Sequence, residues 1–93
     1  MITTIYHVSL SGSETMREAF DMDDKLVQEF DQVVFGEANF AVSSGTNTYS
    51  DYEVWADFHS LDAAQAFQTK LKAAIAAFEP RCEAWRVAYY AEE

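Results

Sequence analysis

Cysteine is almost missing from this chain: the one thiol, Cys82, excludes an intrachain disulfide, so the fold has to stand on its apolar core. Glycine is scarce as well. Gly12, Gly36 and Gly45 stand far apart, which excludes a glycine-rich loop that cradles phosphate, and no Gly-x-Ser-x-Gly elbow for a nucleophilic serine occurs. Long apolar runs are lacking: no stretch approaches the roughly 20 apolar residues of a membrane-spanning helix. Met1-Ile2-Thr3-Thr4-Ile5 has neither the basic region nor the apolar run of an export signal, so a cytoplasmic location is expected. Bases are few: six Lys and Arg face 16 Asp and Glu, a net charge of −10. Such a chain repels phosphate backbones and anionic headgroups, which argues against nucleic acid or membrane as a direct partner and for a protein with a basic surface.

What the chain does have is apolar and aromatic residues. Of its 93 residues, 49% are hydrophobic and 15% aromatic, enough to order one domain over residues 1–93 and to exclude intrinsic disorder despite the charge. The clearest pattern is Asp51-Tyr52-Glu53-Val54-Trp55-Ala56-Asp57-Phe58-His59. Strict alternation predicts a strand that sends Tyr52, Val54, Ala56 and Phe58 into the core and Asp51, Glu53, Trp55, Asp57 and His59 outward. A Trp set between carboxylates, with a His after them, is an unusual solvent face and marks a surface that meets a partner.

The same reading gives the other elements. Thr3 to Leu10 alternates and is expected as the first strand, with Thr4, Tyr6, Val8 and Leu10 on one face and Ile5 and His7 on the other. Ser11 with Glu14 resembles a capping box and Ser13 is a second candidate cap for a helix whose Met16, Phe20, Val27, Phe30 and Val34 share one side. Asp23 falls on that apolar side, so Asp21-Met22-Asp23-Asp24 marks either a kink or a break with Asp23 capping a second piece. Gly36 is expected to end it. A short strand over Asn39 to Ser43, carrying Phe40 and Val42, and a loop at Ser44-Gly45-Thr46-Asn47-Thr48 lead into the Asp51–His59 strand. Ser60 then caps a helix with Leu61, Ala64, Phe67, Leu71, Ile75 and Phe78 as its core stripe, and Pro80 stops it. Last, Trp85, Val87 and Tyr89 alternate against Arg86 and Tyr90, predicting a strand over Glu83 to Tyr90.

The order β-α-β-β-α-β predicts an α+β, ferredoxin-like domain: a four-stranded antiparallel sheet with two helices on one face and the first and third strands central. Its open face would set Ile5 and His7 beside Glu53, Trp55 and Asp57, flanked by Ala41 on one edge and by Arg86 and Tyr90 on the other. That face is also a place for a homodimer contact.

Charge concentrates on the first helical segment. Glu14, Glu18, Asp21, Asp23, Asp24, Glu29, Asp31 and Glu37 are accompanied only by Arg17 and Lys25. Glu14, Glu18, Asp21 and Glu29 lie opposite the apolar stripe as an acidic ridge. The expected partner-binding set is therefore Glu14, Glu18, Asp21, Asp24 and Glu29 on the helix with Asp51, Glu53, Trp55 and Asp57 on the strand.

Catalytic and metal chemistry have thin support. His7, Asp57 and His59 are the candidates, and His7 with Asp57 makes a hydrogen-bonded pair on adjacent strands but not the three or four ligands of a metal site. Arg81 beside Cys82 could lower its pKa, yet nothing else marks a reactive thiol. No cofactor and no catalytic residue are expected. The aromatic face is reminiscent of base-stacking RNA modules, but Glu53 and Asp57 stand where those carry Lys and Arg.

Two resemblances bear on function. Phe35-Gly36 through Phe67, with Glu53-Val54-Trp55 and Ser60-Leu61-Asp62-Ala63-Ala64 opening an amphipathic helix, resembles the dimeric α+β barrel proteins that include antibiotic-biosynthesis-type monooxygenases. That resemblance implies a homodimeric barrel binding or oxidising a small hydrophobic molecule, although the His that usually opens the family's helix is not found between Leu61 and Lys72. In size, acidity and lack of catalytic motifs, the chain is also similar to small phage proteins that inhibit host defence, such as anti-CRISPR and anti-restriction proteins. Their likeness implies a non-enzymatic protein that mimics DNA and occludes a basic surface of a nucleic-acid-binding host complex. The second expectation accounts for the acidic helix and Glu53-Trp55-Asp57 together.

Overall fold

Residues 4–36, 41–48 and 51–91 are described in the computed structural model. They form β1 (Tyr6–Ser11), α1 (Glu14–Met22), α2 (Asp24–Phe35), β2 (Ala41–Asn47), β3 (Glu53–Phe58) and α3 (Leu61–Ala91). The sheet is antiparallel and its strand order is β1-β3-β2. Alternation in β3 has the expected sense, with Tyr52, Val54, Ala56 and Phe58 buried against the helices and Glu53, Trp55 and Asp57 on the opposite face.

The ferredoxin-like β-α-β-β-α-β arrangement is not what forms. Among the described residues there are three strands rather than four, because residues 83–90 continue α3 instead of making the last strand, and three helices rather than two, because the first helical segment divides at Asp23. The run Trp85-Arg86-Val87-Ala88-Tyr89 fits a period of two, but Phe78, Cys82, Trp85 and Tyr89 also recur at the spacing of one helical face. Burial decides between the two periods: Phe78 and Cys82 are enclosed, Trp85 packs on the core, and the Trp85 and Tyr89 rings stack with centroids 5.0 Å apart. Nor does Pro80 stop the helix. Proline has no N–H for the carbonyl four residues back, Ala76, but both residues are exposed, so water can take that carbonyl. Without a fourth strand, β1 becomes an edge of the sheet instead of a central strand.

At Asp23 the first helical segment breaks. Its carboxylate Oδ1 accepts from the backbone N–H groups of Lys25 and Leu26, capping α2, while its own N–H closes α1 on the Ala19 carbonyl. The cap of α1 is Ser13, not Ser11: Ser13 Oγ accepts from Met16 N at 3.1 Å. Ser60 caps α3 by accepting from Ala63 N at 3.3 Å. Gly36 follows α2 as its C-cap. β2 is longer than expected and absorbs most of the predicted loop, with a bulge between Ala41 and Ser43. Asn39 and Phe40 of the predicted strand lie outside the described residues, as do Thr3 and Glu37.

The buried residues form a single cluster, with Met16, Phe30, Val34, Val54, Leu71 and Cys82 fully enclosed. Tyr52 meets Phe20 and Phe30 edge-on at 4.8 and 5.7 Å, and Phe30 meets Phe78 edge-on at 5.2 Å, geometries that align ring edges with ring faces. Leu61, expected in the core stripe, is instead 49% exposed. The first half of α3 lies on β1 and β3, and its second half packs on α1 and α2.

Candidate functional site

The open face of the sheet is built by register. His7 pairs with Asp57, Ser9 with Trp55 and Ser11 with Glu53 across β1 and β3, while Ser43, Gly45 and Asn47 of β2 meet Asp57, Trp55 and Glu53 from the other side. His7 and Asp57 are therefore the neighbours that the alternation predicts, and their side chains bond: His7 Nδ1 lies 2.6 Å from Asp57 Oδ1. An ionised carboxylate only accepts, so Nδ1 carries the proton in this bond. In the neutral ring Nε2 is left as an acceptor on a side chain that is 57% exposed. Ser43 Oγ donates to the other oxygen, Asp57 Oδ2, at 3.0 Å. The hydrogen bond from His7, and then that from Ser43, hold the Asp57 carboxyl below the usual carboxylate range.

Trp55 sits at the centre of this face. A Cβ on Gly45 would come within 2.9 Å of the indole, so the missing side chain at Gly45 is what lets the ring lie against β2. Its other neighbour is His7, whose ring stacks with it at 6.2 Å and 26°. Trp55 is held from two sides and still partly exposed.

Serine, aspartate and histidine in contact invite comparison with a hydrolase triad, but the order is wrong. A nucleophilic serine needs the imidazole as its base, with the carboxylate behind the ring. Here Ser43 bonds to Asp57, not to His7, so nothing withdraws its proton. Among the described residues, no three His, Cys, Asp or Glu side chains gather as metal ligands. Cys82 is enclosed, and burial pushes its thiol up to about 11 despite Arg81 next to it, so it is not a nucleophile at neutral pH.

The expected partner-binding residues divide into two sets on opposite sides of the molecule. Glu53, Trp55 and Asp57 occupy the open sheet face, with exposed Asp51 just before β3. Glu14, Glu18, Asp21, Asp24 and Glu29 belong to α1 and α2 on the helical side. That helical ridge is partly neutralised. Glu14 pairs with Arg17 at 3.8 Å, Glu18 with Arg86 at 3.9 Å and Glu29 with Arg81, leaving exposed Asp21 and Asp24 without an ion pair among the described residues. Arg86 and Tyr90, expected beside Trp55, lie on α3 instead, and Ala41 packs on the core side as the partner of Phe58. The bulge after Ala41 resets the parity of β2, and it is this reset that puts Ser43 and Gly45 on the open face.

A second feature escapes the strand reading of residues 83–90. Trp85, Tyr89 and Tyr90 form a shallow groove with Arg17, Glu18, Asp21 and Met22 of α1, about 270 Å³ in volume. The i, i+4 spacing of Trp85 and Tyr89 is the signal that points to it. No helix among the described residues is long and apolar enough to cross a membrane. Neither a family model nor a curated protein nor a solved structure matches this chain, and the barrel-type monooxygenase expectation loses the element order on which it rested.

Proposed function

We propose that this is a non-enzymatic binding protein of the cytoplasm that covers a basic surface of a macromolecular partner with the open face of its sheet. The reading rests on one observation: Trp55 is held against Gly45 and His7, partly exposed, between the carboxylates of Glu53 and Asp57. A fixed aromatic ring loses little freedom on docking and accepts a cation on its face, and flanking carboxylates pair with the Lys and Arg of a nucleic-acid-binding site. Three of the six bases in the chain are engaged with acids of α1 and α2. A protein of this kind competes with nucleic acid for its target, as phage-type inhibitors of host defence complexes do. Asp21 and Asp24 present a second acidic site, on the helical side.

Capture of partners from a host lysate, followed by titration of the captured protein, tests the proposal. Trp55→Ala and Glu53→Lys are expected each to weaken binding by about tenfold or more, and raised salt to weaken it further. Binding that survives both substitutions at physiological salt overturns the sheet-face assignment. Reversing Glu18 or Glu29 is a poor test, because it breaks pairs that join α1 and α2 to α3.

A further inference from the structure

The edge strand β1 lacks the devices that guard an open sheet edge. Proteins blunt such edges with charge, proline or a bulge. Tyr6-His7-Val8-Ser9-Leu10-Ser11 has no Asp, Glu, Lys, Arg or Pro, and its pairing with β3 runs without a register shift, whereas the opposite edge, β2, is bulged. Beside β1 runs a groove of about 470 Å³ lined by Ile5, His7, Ser9, Leu61, Gln65 and Gln68 among others, and Ile5 and Leu61 are about half exposed. No Asp, Glu, Lys or Arg lines it, and its titratable side chains are Tyr6 and His7. In a chain of net charge −10 this is a neutral seam.

Charge selects the occupant. A basic strand gains nothing from a seam without acids, and an acidic foreign strand gains nothing over a neutral one. A second copy of this chain is the body that needs a neutral approach, because its acids repel those of the first everywhere else. Charge stands around the seam rather than in it: Asp57 is bonded to His7 on the sheet face, Lys72 continues the helical face of Leu61, Gln65 and Gln68, and Asp62 adjoins Leu61. We infer that the protein forms a homodimer in which β1 pairs antiparallel with β1 of a second copy, with the Leu61–Gln68 faces of the two α3 helices closing over the seam. Such pairing is isologous and joins the two sheets into one of twice the width. Both Trp55 faces then point the same way, which would let one dimer present two copies of the proposed binding surface.

Sedimentation of the full chain over the micromolar range tests this. The expected result is a dimer, with β1 amides that exchange slowly when concentrated and faster on dilution to monomer. Gln65→Glu with Gln68→Glu sets like charges against each other across the seam and is expected to raise the dissociation constant by about tenfold or more, without altering the circular dichroism of the monomer. Glu53→Gln, outside the groove lining, is expected to leave dimerisation unchanged while weakening partner capture, so failure of the dimer and failure of the proposed function read out separately. A wild-type monomer at tens of micromolar, or a dimer that the double Glu variant leaves intact, overturns the inference.

Discussion

Before Pro80, α3 rests on the sheet through Ala64, Phe67, Leu71 and Ala74, all buried; after it, only Cys82 is fully enclosed and the other contacts are polar or at the rim. Glu79 accepts from both the backbone N–H and the hydroxyl of Ser13 at 3.0 Å, Arg86 donates to Thr15 and pairs with Glu18, and Arg81 pairs with Glu29 while lying over the Phe78 ring at 4.7 Å. One continuous helix is thus held by apolar burial at one end and by hydrogen bonds, ion pairs and half-covered aromatics at the other. Burial scales with area and tolerates salt, whereas exposed pairs contribute little each and weaken as salt rises. The first half should therefore be the more stable.

The largest expected effect tests the buried half. Leu71→Ala removes a fully enclosed side chain and is expected to cost about 2–5 kcal/mol in denaturant melts, against about 1 kcal/mol or less for Tyr89→Ala in the outer half. Equal costs would break the comparison. Next comes Pro80→Ala, which restores a helical N–H at an exposed position and is expected to stabilise by about 1–3 kcal/mol; a loss instead would show that packing of the outer half depends on the ring. Glu79→Ala leaves the cap of α1 half-satisfied and is expected to cost about 1–2 kcal/mol, with faster amide exchange confined to α1 and the outer half of α3.

The smallest effect is a pH dependence. Burial raises the pKa of Asp31, opposed by the hydrogen bond it accepts from Tyr52 at 3.5 Å. A raised folded-state pKa contributes stability that is present below the ordinary carboxylate range and lost as pH rises through the raised value. Asp31→Asn keeps an acceptor for Tyr52 and removes the charge, so it is expected to raise the melting temperature at neutral pH, the gain fading in acid where Asp31 is protonated in both states. Asp57 runs the other way: its lowered pKa contributes stability above the ordinary range that is lost as pH falls through the lowered value, so Asp57→Asn is expected to matter at neutral pH and not in strong acid.

Several features were legible in the residues alone. Nine residues of strict alternation, Asp51 to His59, fix both faces of β3, and the same parity in β1 puts His7 opposite Asp57. Asp23 on an apolar side announced a kink or a break, and it is a break. The last quarter of the chain misleads because the run Trp85 to Tyr89 fits two periods, and only contacts with residues far away in sequence, Thr15, Glu18 and Glu29, decide between them. Ala41 was misplaced because a one-residue bulge flips the side chains on one side of it and no local residue type announces a bulge at Val42, whereas Ser43 and Gly45 escaped because Ser44 to Thr48 read as a loop rather than as strand. Charge counting located the acids but not their partners, so the helical ridge looked barer than it is.

The Ser13–Glu79 clasp has a consequence for how the chain folds. α1 has nine residues, too few to persist alone in water, and the acceptors that complete its N-terminus arrive from 66 positions further on. The local bond from Met16 N to Ser13 Oγ can form at once, but the Glu79 contacts wait until a loop of most of the chain has closed, an entropic toll exacted before any reward. The clasp is thereby made a late contact, and substitution of Glu79 should accelerate unfolding while leaving the refolding rate nearly untouched.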